Sequence, residues 1–128
     1  REPEIYGTIT LKDIEKECFS LAKKSNVKLK FLQSNAEHEI IEWIHSARHE
    51  ASGIIINPAA FSHTSVAILD ALTLFEEHII EVHISNIHKR ESFRHNSYVS
   101  QKSTAVIAGF GVDGYKIALE KMINLCSN

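Results

Sequence analysis

Glu81 and His83 stand two residues apart in the apolar run "IIEVHIS". Side chains two apart on a strand point to the same face, so a carboxylate and an imidazole would meet there. Such a pair fixes the imidazole tautomer and favours its protonated form, which is what a general acid needs. The same two residues can also serve as a satisfied structural pair, but the place of His83 at the end of a strand pattern favours chemistry. In "HISN" the chain turns and offers successive backbone N–H groups, a ready seat for a small carboxylate or phosphate. Ser85 and Asn86 are equally ordinary helix caps, and the two uses share one geometry.

Arg90 and Arg94 are four apart, a spacing that predicts one helix face and two guanidiniums directed at an anionic, hydroxyl-rich ligand. Taken alone they would read as solvated surface; their nearness to Glu81 and His83 argues otherwise. Asn57 ends "GIIIN" before Pro58, and His63 follows in "FSHTS". An amide and an imidazole there suit the reading of hydroxyl groups, although Asn-Pro supplies turn chemistry by itself. Asp70, seven residues after His63, reads as two helical turns along the same side, placed to cap, to pair within the chain or to face a partner subunit. His45 and His49 have the spacing of a zinc clamp but no third ligand, so they read as exposed helix residues. "GFGVDG" resembles a phosphate loop only loosely.

The elements that must position these groups alternate. "TLKDIEKECFSLAKKS" opens on Thr10 as N-cap and puts Leu11, Ile14, Cys18, Leu21 and Ala22 on one helical face. "VKLKFLQ" alternates as a half-buried strand, and "EHEIIEWIHSARHEA" returns to helical spacing. "GIIIN" predicts a strand buried on both faces, "SHTSVAILDALTLFE" a helix, "IIEVHIS" and "STAVIAGFG" strands, and "GYKIALEKMINLC" a closing amphipathic helix. Strands alternating with helices predict an α/β fold with a parallel sheet covered on both sides. Ligands of such sheets sit beyond the carboxyl ends of the strands. That rule selects "QSNAE", "NPAAFSHTS", "HISNIHKR" and "GFGVDG".

At 128 residues the chain is expected to form one domain. Its formal net charge of -2 argues against a nucleic-acid binder, whose footprint would be basic. Cys18 and Cys126 form no ligand pattern and read as reduced thiols. No apolar run approaches the roughly 20 residues of a membrane span and no signal peptide opens the chain, so the expected setting is cytoplasmic.

Together "REPEIYG", "QSN", "GIIINPAAFSHTSVAILDAL", "EVHISNIHKRESFRHNSY" and "GFGVDGY" resemble the type II 3-dehydroquinate dehydratases of the shikimate pathway. The resemblance runs from Arg1 into the final helix, and "EVHISN" followed by "RE", "FR" and "SY" is its most specific part. It implies a flavodoxin-like fold, a dodecamer built as a tetramer of trimers, and an anti elimination of water from 3-dehydroquinate with neither metal nor other cofactor. Carried over by position, it implies Tyr6 as the base at C2, with Arg1 on the same lid helping to lower its pKa. It implies His83 as the acid, Glu81 as its orienting carboxylate, and Asn57 as holder of the water that stabilises the enolate. Ile84 and Ser85 would bind the substrate carboxylate through N–H groups, and His63 and Arg94 would read ring hydroxyls. Arg90 would support the lid, and Asp70 would reach a neighbouring subunit's site.

The family's first strand and an asparagine-bearing loop precede the lid, whereas this sequence opens at Arg1. The resemblance therefore implies a longer gene product, since a domain lacking that central strand should be badly destabilised. Ala59 and His38 stand where the family usually has glycine, which alters local backbone freedom. A catalytically weak relative that keeps the anion pocket, and a histidine-based metal hydrolase, are the rival functions.

Overall fold

The structure is a computed structural model that describes residues 10–127. Arg1 and Tyr6 lie outside the described residues. Helix α1, Leu11–Lys24, begins as its sequence predicts: Thr10 Oγ1 accepts from Asp13 N at 3.2 Å, and Asp13 Oδ2 accepts from Thr10 N at 3.1 Å. This reciprocal capping box satisfies two N–H groups that the helix cannot bond internally. Helix α2, Glu37–Glu50, is followed by strand β1, Gly53–Ile56, then by helix α3, Val66–Thr73, and strand β2, His78–His83. Strand β3, Ala105–Ala108, and helix α4, Asp113–Ser127, complete the order.

The three strands form one parallel sheet in the order β1-β2-β3, with Ile56 opposite Glu81 and His83 opposite Ala108. The two-residue period of β2 separates its side chains by face. Ile79 packs with Ile44 of α2 and with Ile68, Leu72 and Phe75 from α3 and its end. Ile80 and Val82 pack on Ala118 and Met122 of α4, beside the α1 cluster of Ile14 and Cys18. Helices thus cover both faces of a parallel sheet, as expected for a flavodoxin-like α/β chain. Truncating a fully buried Ile79 or Leu72 to alanine would cost about 2–5 kcal/mol, because a close-packed core refills poorly.

Four expectations are corrected. Residues 27–33 pair with no strand among the described residues, although Leu29 and Phe31 do pack on the α1–α4 cluster. Alternation supplies a buried face, but a ladder needs a neighbouring strand. Ile54 and Ile55 of β1 divide between the two faces yet stay half-buried, because β1 is an edge among the described strands.

The segment before α3 is a 3-10 helix, Ala59–His63, and α3 starts only after Ser65, whose Oγ accepts from Ile68 N at 2.9 Å. His63 and Asp70 therefore do not share a helix face. Finally, the crossover from β2 to β3 holds no α-helix. It is built from the 3-10 turns Ile87–Lys89, Ser92–Arg94 and Tyr98–Gln101, so Arg90 and Arg94 are not one turn apart on an α-helix. Its polar side chains bond the local backbone instead: Asn86 Oδ1 accepts from His88 N, and His95 Nε2 meets Arg90 O at 2.9 Å. Such bonds compete with helix propagation.

Ala59 sits in a backbone conformation that favours glycine. Its φ is 51°, in the left-handed region, and its N–H donates to Asn57 Oδ1 at 3.0 Å. An alanine there costs about 1–2 kcal/mol of steric strain, part of which glycine would lose again to unfolded-state entropy. Ala59→Gly is expected to raise unfolding stability by about 0.5–1 kcal/mol, since the residue is exposed and loses no packing. A urea midpoint lower than the parent's would contradict this.

Candidate active site

Glu81 and His83 lie on the α2–α3 face of β2 and are 0% and 4% exposed. His83 Nε2 is hydrogen-bonded to Glu81 Oε2, which leaves Nδ1 as the ring nitrogen free to meet a ligand. A lone buried carboxylate would be strongly disfavoured, so its other oxygen also needs a donor. Ser100 Oγ donates to Glu81 Oε1 at 2.7 Å from the turn Tyr98–Gln101. The buried Ser97 hydroxyl also faces this carboxylate, although its geometry falls short of a hydrogen bond. Burial pushes Glu81 up, but His83, Ser97 and Ser100 outweigh it and hold the carboxyl below its ordinary value near 4.5.

The sign of this shift has a measurable consequence. A depressed folded-state pKa contributes stability above the unfolded value that is lost as pH falls through the folded one. Unfolding free energy should therefore drop as pH falls below about 4.5, and Glu81→Gln should flatten part of that slope. Urea titrations at successive pH values compare the two; parallel losses would remove Glu81 from the account.

His63 stands over His83, with ring centroids 6.3 Å apart and planes inclined by 19°. Its Nδ1 lies 2.7 Å from Asn96 O; with the proton on Nδ1, Nε2 becomes an acceptor on the opposite side of the ring. Asn57 follows β1 directly. Its Nδ2 donates to Tyr115 Oη at 2.7 Å and its Oδ1 takes the Ala59 N–H, so the amide orientation is fixed and one Nδ2–H is left. Tyr115 is held in turn by an edge contact with Phe31, centroids 6.2 Å apart.

Ile84 and Ser85 follow the end of β2. Gly109 N donates to His83 O and Gly111 N to Ile84 O, which ties the "GFG" turn to this strand end. Gly109 has φ 88°, and a Cβ there would lie 3.3 Å from Asn86 Cβ, so both conformation and space call for glycine. The N–H groups of Ile84 and Ser85 take no protein acceptor among the described residues, consistent with a seat for an anion.

Arg94 is half-buried, pairs through Nε with Glu91 and lies 4.9 Å over the Phe93 ring. Arg90 and Asp70 are exposed, on the crossover and on α3. The structure thus brings Glu81, His83 and His63 together, with Asn57, Ile84 and Ser85 at the adjoining strand ends; it does not draw Arg90 or Asp70 into that cluster. His45 and His49 are exposed, and no group of three metal-ligating side chains occurs among the described residues.

Residues 1–123 match the sequence profile of the class II dehydroquinases. The chain belongs to this family. Against 3-dehydroquinate dehydratase 2 of Agrobacterium fabrum, this dehydroquinase is 60% identical over 127 residues, spanning 99% of this chain and 86% of that protein. It is 54% identical over 126 residues to the 3-dehydroquinate dehydratase of Streptomyces coelicolor, with coverage of 98% and 80%. The crystal structure of the type II dehydroquinase of Propionibacterium acnes superposes with a TM-score of 0.89 at 42% identity, covering 97% of this chain and 86% of that one. The parallel sheet and its flanking helices are therefore those of a dehydroquinase, and the expected flavodoxin-like class holds.

Four residues of this dehydroquinase escape sequence patterning. Ser97 and Ser100 face Glu81 from a crossover that carries no helical or strand period, and Tyr115 reaches Asn57 across 58 residues of sequence. Asn96 acts through its carbonyl, for which no side-chain signal exists.

Proposed function

We propose that this enzyme dehydrates 3-dehydroquinate to 3-dehydroshikimate by anti elimination through an enolate. The observation that carries the reading is the buried Glu81–His83 pair at the end of β2, in a chain of this family. Tyr6 removes the C2 proton, and the electron pair moves onto the ketone oxygen as an enolate. Asn57 supports that oxygen through a bound water, using the Nδ2–H that Tyr115 leaves free. Collapse of the enolate expels the C1 hydroxyl, which takes a proton from His83 Nδ1 and departs as water. Glu81 keeps the imidazole oriented and offsets its positive charge.

The substrate carboxylate is read by the Ile84 and Ser85 N–H groups, and the ring hydroxyls by His63 Nε2 and Arg94. Arg1 favours the Tyr6 phenolate by its positive charge, and Arg90 takes the supporting part that the family resemblance implies. Asp70, exposed on α3, reaches a neighbouring subunit's site in a homo-oligomer, a dodecamer made as a tetramer of trimers. The scheme calls on no metal and no other cofactor, and the setting is cytoplasmic.

The product is a conjugated enone, so the purified chain mixed with 3-dehydroquinate should show rising ultraviolet absorbance. Binding without an absorbance rise would identify a module that keeps the anion pocket and lacks the chemistry. Loss of activity on chelation would favour the metal hydrolase. Light scattering should report a mass of twelve subunits; a stable monomer that turns over would separate activity from the Asp70 role.

A further inference from the structure

Hydroxyl bookkeeping around Glu81 singles out one serine. Each hydroxyl has a single proton to give. Ser103 Oγ lies 3.4 Å from Glu81 Oε1 but only 2.8 Å from Val99 O, so its proton goes to the carbonyl. Among the described residues, Ser97 Oγ meets no partner in hydrogen-bond geometry, and Ser100, at 2.7 Å, is left as the one well-formed hydroxyl donor to the carboxylate. The two oxygens are then divided: Oε1 is held by Ser100 and Oε2 faces His83 Nε2. Two donors on opposite oxygens fix the rotation of a carboxylate, whereas one donor leaves it free to turn.

We infer that Ser100 is a positioning residue for the dehydration, locking the Glu81 carboxylate so that His83 Nδ1 stays aimed at the departing hydroxyl. The inference rests on the dehydratase reading above. Ser100 touches no substrate in it; its effect passes wholly through Glu81. Its place on the crossover matters as well, because the same crossover supplies the Asn96 carbonyl that holds His63. The crossover therefore holds both imidazoles, His63 through Asn96 and His83 through Ser100 and Glu81.

Ser100 is an exposed residue, so its hydroxyl can be removed without opening the core. A charge-assisted hydrogen bond is at stake, and Ser100→Ala should lower kcat about tenfold with KM within about twofold of the parent. Ser100→Thr keeps a hydroxyl and should restore kcat to within about threefold. In a Glu81→Gln background the carboxylate is gone, and adding Ser100→Ala should then cost less than about twofold. The inference is overturned by an unchanged kcat in Ser100→Ala, by a loss confined to KM, by a threonine variant as slow as the alanine one, or by an equal loss in the Glu81→Gln background. A parent chain that forms no enone refutes the dehydratase reading itself, whereas a turning-over parent with an indifferent Ser100 refutes only the positioning role.

Discussion

Tyr6→Phe is expected to lower kcat by about 10²–10⁴-fold while changing the affinity for 3-dehydroquinate by no more than a few-fold. The phenyl ring keeps the volume and apolar surface of the side chain and loses only the oxygen to which the proposed mechanism gives the proton. A free tyrosine titrates near 10, so at neutral pH it is a poor base unless positive charge stabilises the phenolate. In the proposed mechanism Arg1 supplies such charge without itself losing a proton. Arg1→Ala should accordingly act in the same direction as Tyr6→Phe and on kcat more than on KM. The decisive measurement is exchange of the C2 proton with deuterated solvent. Tyr6→Phe should slow exchange and enone formation alike, by about 10²–10⁴-fold, because the missing step precedes both. Exchange at the parent rate would move the base to another residue.

The parts of the site that were legible in sequence are those whose spacing maps directly onto one element. Glu81 and His83 share a face because β2 has a period of two, and the structure joins them by a hydrogen bond. Thr10 and Asp13 are three apart and form the capping box that spacing predicts. Where a contact depends on a loop, the sequence is silent. Ser100 meets Glu81 only because three short turns fold the crossover back along β2, and Tyr115 meets Asn57 because α4 packs beneath β1. The Arg90–Arg94 spacing misleads for the same reason: caps and backbone-bonding side chains break the segment before a helix can propagate. "VKLKFLQ" shows the complementary limit, since its alternation survives in the packing of Leu29 and Phe31 while its ladder depends on a neighbour.

His83→Ala should separate the two halves of the reaction and weaken the fold at once. With Tyr6 intact, the C2 proton still leaves, so 3-dehydroquinate in deuterated solvent should gain deuterium without losing water. Loss of the general acid is expected to lower enone formation by about 10²–10⁴-fold. The same substitution strips the buried Glu81 of its imidazole partner and leaves Ser100 as its remaining well-formed donor. Breaking a buried pair by removing one member costs about 3–5 kcal/mol, enough to unfold a domain of ordinary stability in part. Glu81 can relieve some of that cost by taking up a proton, so the destabilisation should shrink as pH falls toward 4.5, opposite to the parent's own trend. Adding Glu81→Gln to His83→Ala removes the orphaned charge and should recover stability while leaving enone formation just as slow. That combination distinguishes an acid that has been lost from a protein that has merely loosened: exchange without elimination in a stable double variant places the proton donor at position 83. Unchanged enone formation would take His83 out of the mechanism.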